Sequence, residues 1–176
     1  MRRTHFTVGC MLGALLSAST AGAIPLQSAY DVALPGEGFD RLLILDPEQA
    51  YTGGMSAQDG VRSLIRGNGA VINLEGESIW GVGHGTVLDI DHCVILNGYS
   101  GVFIAEEATG HIRNNTIRGN AYGITSWYGS PDVVIENNII LENKTYGIYC
   151  REFFEPIIQY NAVWGNPGGN YIHSCG

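Results

Sequence analysis

Cationic side chains are scarce in this sequence. It contains 9 Lys and Arg against 17 Asp and Glu, which gives a formal net charge of −8 at pH 7. A protein that binds nucleic acid needs a basic surface, so this balance argues against nucleic acid as a partner. It also provides no direct attraction for an acidic polysaccharide, and a uronate ligand would need a bridging calcium ion. Calcium is therefore the one cofactor that the sequence suggests.

Long apolar runs are also missing. The run from Val8 to Leu16 is too short to span a bilayer, which takes about 20 residues. It follows Arg2 and Arg3 and precedes Ala21-Gly22-Ala23, an order typical of a secretory signal peptide. We therefore predict a leader over residues 1–23, a secreted or periplasmic mature chain, and no stable membrane anchor. A retained membrane helix is the alternative.

A repeat of 22–23 residues dominates the rest of the chain. Successive asparagines at positions 115, 138 and 161 are 23 residues apart. The apolar position two residues later recurs with spacings of 23, 22, 23 and 23, at Ile72, Ile95, Ile117, Ile140 and Val163. A fixed period of this length indicates a repeat architecture.

Each repeat lacks room for a ten-residue amphipathic helix. It consists instead of short runs that alternate apolar and polar residues, and Asn or Gly interrupts them. Leucine-rich repeats have this length, but they need a leucine framework where this chain has Ile and Val. We therefore predict an all-β fold, a single-stranded parallel solenoid of about 5–7 coils. Equivalent residues should then lie about 4.8 Å apart along its axis.

Asparagine and glycine mark the predicted corners of the coils. Asn takes the left-handed backbone conformation at low cost, and stacked Asn amides can bond one another from coil to coil. Two such ladders are predicted, one of Asn115, Asn138 and Asn161 and the other of Asn120, Asn143 and Asn166. A further corner carries Gly101, Gly123 and Gly147.

With these Asn, Gly and Ile positions, the stretch from Val61 to Asn170 resembles the right-handed parallel β-helix proteins. That superfamily includes pectate lyases, polygalacturonases and secreted repeat proteins. The resemblance implies a right-handed coil, whereas the matching residues build the scaffold and do not specify an activity. Residues 61–176 are then the repeats, and residues 24–60 form an N-terminal cap with an irregular first coil. A solenoid needs such a cap because its end strand is otherwise an open edge.

Three cysteines lie in the repeat region. Cys150 and Cys175 are 25 residues apart, close to one repeat, so we predict that they stack and form a disulfide. An oxidising compartment would favour that bond. Cys93 stands at a ladder position and is expected to be a small buried filler. The sequence has no CxxC or Cys/His zinc spacing, and no metal ligands are predicted.

The repeat register predicts a polar column on one outer face. Asp91, Arg113, Glu136 and Gln159 should stack, and Asp89 should lie over His111. The simplest interpretation is a surface ladder of ion pairs. The alternative is one functional patch of Asp89, Asp91, His111 and Arg113, in which the carboxylates bind calcium and Arg113 contacts a uronate. These four are the candidates for a catalytic site, and they match pectate lyases only in residue type.

A second outer face carries aromatic residues after the glycine corners. Phe103, Trp127, Tyr149 and Arg151 occupy predicted outward positions, and Tyr128 and Glu152 are adjacent. Flat rings beside charged groups suit a sugar chain, whose C–H faces stack on rings while its hydroxyls bond polar groups. The alternative is that nearby loops fold over and pack these rings together.

Three functions remain open from the sequence. The first is a secreted module that binds polysaccharide or a cell-surface glycan without catalysis. The second is a pectate lyase-like polysaccharide lyase or a glycoside hydrolase. The third is a structural or adhesion segment of a surface protein. In each case, self-association through open solenoid ends is possible, since exposed end strands can pair with another chain.

Overall fold

A computed structural model of the protein describes residues 22–128, 132–151, 156–173 and 175. The predicted leader over residues 1–23 lies almost wholly outside these ranges. Within them, no helix is long and apolar enough to cross a membrane.

The described chain consists of an N-terminal cap and six coils of three strands each. The cap comprises β1 (Ile24–Pro25), α1 (Leu26–Asp31) and β2 (Leu34–Gly36). The strands of the coils are, in chain order, β3 (Phe39–Ile44), β4 (Ala50–Thr52), β5 (Met55–Ala57), β6 (Arg62–Arg66), β7 (Val71–Asn73), β8 (Ser78–Val82), β9 (Val87–Asp91), β10 (Val94–Leu96), β11 (Ser100–Ala105), β12 (Gly110–Arg113), β13 (Thr116–Arg118), β14 (Tyr122–Trp127), β15 (Val133–Glu136), β16 (Ile139–Leu141), β17 (Tyr146–Arg151), β18 (Ile157–Gln159), β19 (Ala162–Trp164) and β20 (Gly169–His173).

Three sheets form the sides of the solenoid. Sheet A has the order β1-β4-β7-β10-β13-β16-β19, sheet B the order β18-β15-β12-β9-β6-β3-β2, and sheet C the order β20-β17-β14-β11-β8-β5. Strands of successive coils pair in parallel, and the antiparallel pair β2–β3 belongs to the cap. The predicted all-β parallel solenoid of about 5–7 coils is therefore confirmed.

The repeat period keeps one apolar column inside the solenoid. Ile72, Ile95, Ile117, Ile140 and Val163 are direct partners from strand to strand of sheet A. The four isoleucines are fully buried. Burial of one such side chain contributes about 1.5–3 kcal/mol, so a one-residue slip, which would turn the column outward, is strongly disfavoured.

The cap covers the N-terminal end of the core. Leu26 and Tyr30 of α1 are 0% and 5% exposed, and Tyr30 Oη lies 2.6 Å from Ser63 Oγ. Burial raises the pKa of Tyr30. Arg41 Nη1 donates to the carbonyl oxygen of Asp31 at 2.7 Å, which satisfies an acceptor at the end of the helix.

Two ladders of asparagine side chains run along the corners. In the first, Asn115 Nδ2 and Asn138 Nδ2 donate to the Oδ1 of the next Asn at 3.2 and 3.0 Å. In the second, Asn120 Nδ2 donates to Asn143 Oδ1 at 3.1 Å, and Asn143 Nδ2 donates to the next ladder residue, Asn166, at 3.1 Å. Each ladder oxygen also accepts a backbone N–H from the neighbouring coil.

The left-handed corner residue is not the ladder asparagine itself. The positive φ belongs to the residue before it, for example Asn114 at 57° and Asn137 at 56°. The expectation that ladder residues adopt this conformation was wrong by one position. The physical reason is that the ladder side chain must stay inside the coil, where Asn138 Nδ2 also donates to the Ile112 carbonyl oxygen at 2.7 Å.

Cysteines occupy two further internal positions. Cys93 is 1% exposed, and its backbone N–H donates to Asn115 Oδ1 at 2.9 Å, so it stands one coil before the first ladder. Burial raises the pKa of its thiol to about 12. Cys150 and Cys175 form a disulfide with Cα atoms 5.3 Å apart.

Substitution of Gly123 by alanine should lower the free energy of unfolding by about 1–3 kcal/mol, because the corner has no space for a methyl group. An added Cβ would collide with the Gly147 carbonyl oxygen and lie 2.7 Å from Ile140 Cγ2. Chemical denaturation measures the change. The control is Gly36→Ala, whose nearest contact is the mobile tip of Leu42. Equal stability of the two variants would contradict the corner packing.

Candidate ligand-binding groove

The outer face of sheet C carries a column of aromatic residues. Strand register places Trp80 beside Phe103, then Thr125, then Tyr149. Their neighbours in sequence point inward, because side chains alternate along a strand. The rings of Trp80 and Phe103 lie 4.2 Å apart between centroids, so the solenoid repeat brings rings from separate coils into contact.

A second outward column lies next to the first. Trp127 and Arg151 are strand neighbours, and Arg151 Cζ lies 4.5 Å from the centroid of the Trp127 ring. A guanidinium over an indole face at this distance makes a favourable cation–π contact. The Trp127 ring also lies 5.8 Å from Phe103 and stacks at 5.2 Å on Tyr128. The two columns therefore form one continuous aromatic surface.

Tyrosines extend this surface along the glycine corner. Tyr122 lies 5.4 Å from Tyr99 and 5.6 Å from Tyr149, measured between ring centroids. Tyr146 stacks on Tyr149 with an interplanar angle of 9°. Burial raises the pKa of Tyr122, and the neighbouring Tyr99 contributes to the same shift. The Tyr122 hydroxyl therefore remains a protonated hydrogen-bonding group at neutral pH.

Two hollows lie in the aromatic surface, and Tyr99 lines both of them. The smaller, which we name the aromatic hollow, has a volume of about 100 Å³ and is lined by Tyr99, Phe103, Tyr122, Thr125, Trp127, Tyr149 and Arg151. The larger, which we name the cap-side hollow, has a volume of about 520 Å³ and is lined by Gln27, Gly54, Met55, Ser56, Gly76, Glu77, Ser78, Trp80 and Tyr99. Together they make an interrupted groove along the solenoid axis.

The predicted ligand-binding residues differ in exposure. Tyr128 is 52% exposed, and Trp127 and Tyr149 are half-buried. Phe103 is only 5% exposed because Trp80 and Trp127 cover its ring. Glu152 lies outside the described residues. The rings therefore pack on one another and still line an open surface. The loops that the alternative interpretation folds over them lie mostly outside the described residues.

Four residues of the aromatic surface were not singled out from the sequence: Trp80, Tyr99, Tyr122 and Tyr146. A usable signal existed for two of them. Tyr122 and Tyr146 each precede a corner glycine and recur in register, as does Ser100 one coil earlier. The outward position of Trp80 follows from the register of β8 with β11. Tyr99 lies in a turn, and the repeat period does not predict its position.

The candidate catalytic residues lie on sheet B, on a different side of the solenoid. Asp89 is 8% exposed, and its Oδ1 accepts from the backbone N–H of His111 at 2.9 Å. The same oxygen lies 3.2 Å from His111 Nδ1. Asp89 is therefore already paired with the coil above, as the stacking predicted, but its side chain is far more covered than a surface ladder suggests.

Asp91 is enclosed in the same way. It is 8% exposed, and its Oδ1 accepts from Asn114 Nδ2 at 3.0 Å and lies 2.6 Å from His92 Nδ1. Arg113 Nε lies 3.8 Å from Asp91 Oδ2. Among the residues that the structure describes, no three His, Cys, Asp or Glu side chains converge to hold a metal ion. The two aspartates therefore serve as hydrogen-bond acceptors between coils in this geometry.

The remainder of the polar column continues along sheet B. Arg113 pairs in register with Asp91 on one side and Glu136 on the other. Gln159 Nε2 donates to Glu136 Oε2 at 2.9 Å. Beyond the enclosed Asp91, the sequence of base, acid and amide has the arrangement of a surface ladder, whose individual pairs contribute little to stability.

Comparison with known proteins agrees with this architecture. The family model described as the right-handed beta helix region matches residues 48–176, which is most of the chain. The protein belongs to the right-handed β-helix family. No match was found among the curated proteins or among the solved structures. Family membership assigns this β-helix its handedness and leaves its ligand open, because folds of this kind carry sites of many sorts.

Proposed function

We propose that this β-helix is an extracytoplasmic module that binds an extended polysaccharide or cell-surface glycan along sheet C. One observation carries the proposal: two hollows meet at Tyr99 on a surface built of rings from successive coils. A linear sugar chain repeats along its length, and so does this surface, whose strands follow each other at the coil spacing of about 4.8 Å.

The chemistry of the aromatic hollow supports a sugar ligand. Trp127 and Tyr149 line this hollow, and aromatic ring surface of this kind suits the C–H groups of a pyranose. Thr125, at the same position in the intervening coil, has a hydroxyl, although it is 3% exposed and bonded to Ser100 Oγ at 2.7 Å. The tyrosine hydroxyls and the Arg151 guanidinium supply further polar groups at the rim.

Rigidity of the surface also favours binding of a repetitive chain. The rings lie on paired strands of one sheet, and their mutual contacts fix their orientation before a ligand arrives. A pre-organised site loses less conformational entropy on binding than a loop-built one. An extended glycan can therefore make several weak stacking contacts without reordering the protein.

The disulfide and the N-terminal pattern support action outside the cytoplasm. Disulfides persist mainly in oxidising compartments, and Cys150–Cys175 is one. The basic start, short apolar run and small residues of positions 1–23 have the order of an export signal. Both observations fit a protein that meets polysaccharides at or beyond the cell surface.

Replacement of Trp127 by alanine should weaken binding to the recognised polysaccharide about ten-fold, which corresponds to roughly 1.4 kcal/mol. The change removes one stacking face and the partner of Arg151. Retention of the purified protein on a panel of immobilised plant and bacterial polysaccharides, with and without calcium, measures the effect. Trp164→Ala is the matched control, because Trp164 is 47% exposed but lies on sheet A.

Equal retention of the two tryptophan variants would contradict the location of the site. If neither the parent protein nor the variants are retained on any polysaccharide, the proposed glycan binding is contradicted. Products from the same incubations are analysed by mass spectrometry. Shortened or unsaturated oligosaccharides would show an enzyme and direct attention to Asp89 and His111.

A further inference from the structure

The cap-side hollow is the larger of the two hollows and differs from its neighbour in charge. It lies between the cap helix α1 and the first coils of sheet C, and its volume is about 520 Å³. That volume falls within the range of roughly 300–1,000 Å³ common for sites of small ligands. It is therefore large enough to receive a sugar unit of a bound chain.

Two aromatic rings form its apolar wall. Trp80 is held by contact with Phe103 at 4.2 Å, so its indole cannot turn freely. Tyr99 is 54% exposed and separates this hollow from the aromatic hollow. Indole and phenol faces carry negative quadrupole potential, which attracts a cation placed over them.

The charged group in the wall is a carboxylate. Glu77 Oε2 accepts the backbone N–H of Gly54 at 2.6 Å, which fixes the side chain at the hollow. Gln27 Oε1 accepts the N–H of Ser56 at 2.9 Å and joins the cap helix to the same wall. Among the residues that the structure describes, none that lines the hollow is Lys, Arg or His. Glu77 is therefore the one charged side chain of the described lining.

We propose that the cap-side hollow binds a cationic amine, so that the glycan of this module carries free amino groups on its sugar units. This inference rests on the function proposed above and specifies its ligand class. A protonated amine gains a cation–π contact with Trp80 or Tyr99 and a charge-assisted hydrogen bond with Glu77. The net charge of −8 also attracts a polycation and repels a uronate polymer.

Acetylation of the amine removes the feature that the hollow recognises. An N-acetylated unit has the same ring but no positive charge, and a plain glucose unit has only a hydroxyl at that position. Both neutral chains still stack on the rings of the aromatic hollow. The structure therefore predicts weaker binding of neutral chains, with the difference located at Glu77.

Isothermal titration calorimetry of the protein with three tetramers tests this prediction. The tetramers consist of glucosamine, N-acetylglucosamine and glucose units. We expect the glucosamine tetramer to bind at least about ten-fold more tightly than either neutral tetramer at low ionic strength, and the preference to shrink as salt is added. Glu77→Gln should bring the three affinities close together, since the amide oxygen can still accept from Gly54 but the charge is gone.

Glu142→Gln is the control for a general loss of negative charge, because Glu142 is exposed at a corner beside sheet A. It should leave the preference intact. Thermal unfolding of both variants checks that they fold, and the salt dependence of the parent protein tests the charge independently.

The outcomes separate the two proposals. Equal binding of all three tetramers by the parent protein would overturn the amine site and leave glycan binding standing. A preference for glucosamine that survives in Glu77→Gln would also overturn the assignment to this hollow. Binding of none of the tetramers, with retention on another polysaccharide, would refute the amine class. If the protein binds none of the tetramers and none of the polysaccharides, both proposals are refuted.

Discussion

Replacement of Asn138 by leucine is expected to lower the free energy of unfolding by roughly 2–5 kcal/mol, a large share of the stability of a single domain. Asn138 is 1% exposed and lies in the middle of its ladder. Its Oδ1 accepts from Asn115 N at 3.0 Å, and its Nδ2 donates to Ile112 O at 2.7 Å and to Asn161 Oδ1 at 3.0 Å.

Leucine would fill the space but satisfy none of these groups. Asn115 N–H and the Ile112 carbonyl oxygen would lose these partners, and each buried unsatisfied group costs about 1–3 kcal/mol. Asn161 Oδ1 would keep the backbone N–H of residue 138, and Asn115 Nδ2 would keep the Ile90 carbonyl oxygen. Leucine does add apolar contact inside the coil, which offsets part of the loss. Desolvation of the unsatisfied polar groups should exceed this gain, because Asn115 and Ile112 are only 1% and 0% exposed.

Urea denaturation followed by circular dichroism measures the difference. Gln159→Leu is the matched control, since it removes an amide from the exposed end of the polar column, where its bond is to Glu136. We expect a change within about 0.5 kcal/mol there. A loss at Asn138 no larger than at Gln159 would mean that the ladder does not stabilise the fold.

Spacing predicted the parts of this fold that repeat. A residue and its equivalent 22–23 positions later must stack when each coil uses the same number of residues. That rule alone places Ile95 beside Ile117 and Asn115 beside Asn138, as the register shows. It also predicts the stacking of Arg113 on Asp91. The rule needs no knowledge of side-chain packing, and this explains its success.

Burial was not predictable from the same spacing. Asp91 stands at an outward position, but His92 and Asn114 from neighbouring corners cover it. Phe103 is outward and yet almost enclosed, because its ring is flanked by Trp80 and Trp127. Outward direction follows from alternation along a strand, whereas exposure depends on the size and rotamer of neighbours.

The cap-side hollow depends on the least regular residues. Gln27 comes from the cap helix, outside the repeat, and Glu77 comes from the turn between β7 and β8. Their positions follow from tertiary packing of the cap on the first coils. Periodic reasoning finds the aromatic hollow, which is built from repeating strands, and misses a site formed where the repeat begins.

Removal of the disulfide is the second change with a large expected effect. Replacement of Cys150 and Cys175 together by alanine should lower the free energy of unfolding by about 2–4 kcal/mol, as expected for a closed loop of 25 residues. Without the bond, the unfolded chain gains conformations that the link had forbidden. Cys150 is fully buried and Cys175 is 7% exposed, so the substitution also removes some core contact.

A reducing agent distinguishes the bond from the packing. It should destabilise the parent protein, leave the double variant unchanged, and act on Cys93→Ala as it acts on the parent, because Cys93 is a free buried thiol. Mass spectrometry after thiol alkylation confirms which cysteines are reduced at each step. Reduction of Cys150 and Cys175 without any fall in stability would show that packing alone stabilises this end of the solenoid and that the disulfide adds nothing to it. If reduction lowers the stability of the parent protein by more than the double substitution does, the two free thiols pack less well at this end than two alanines.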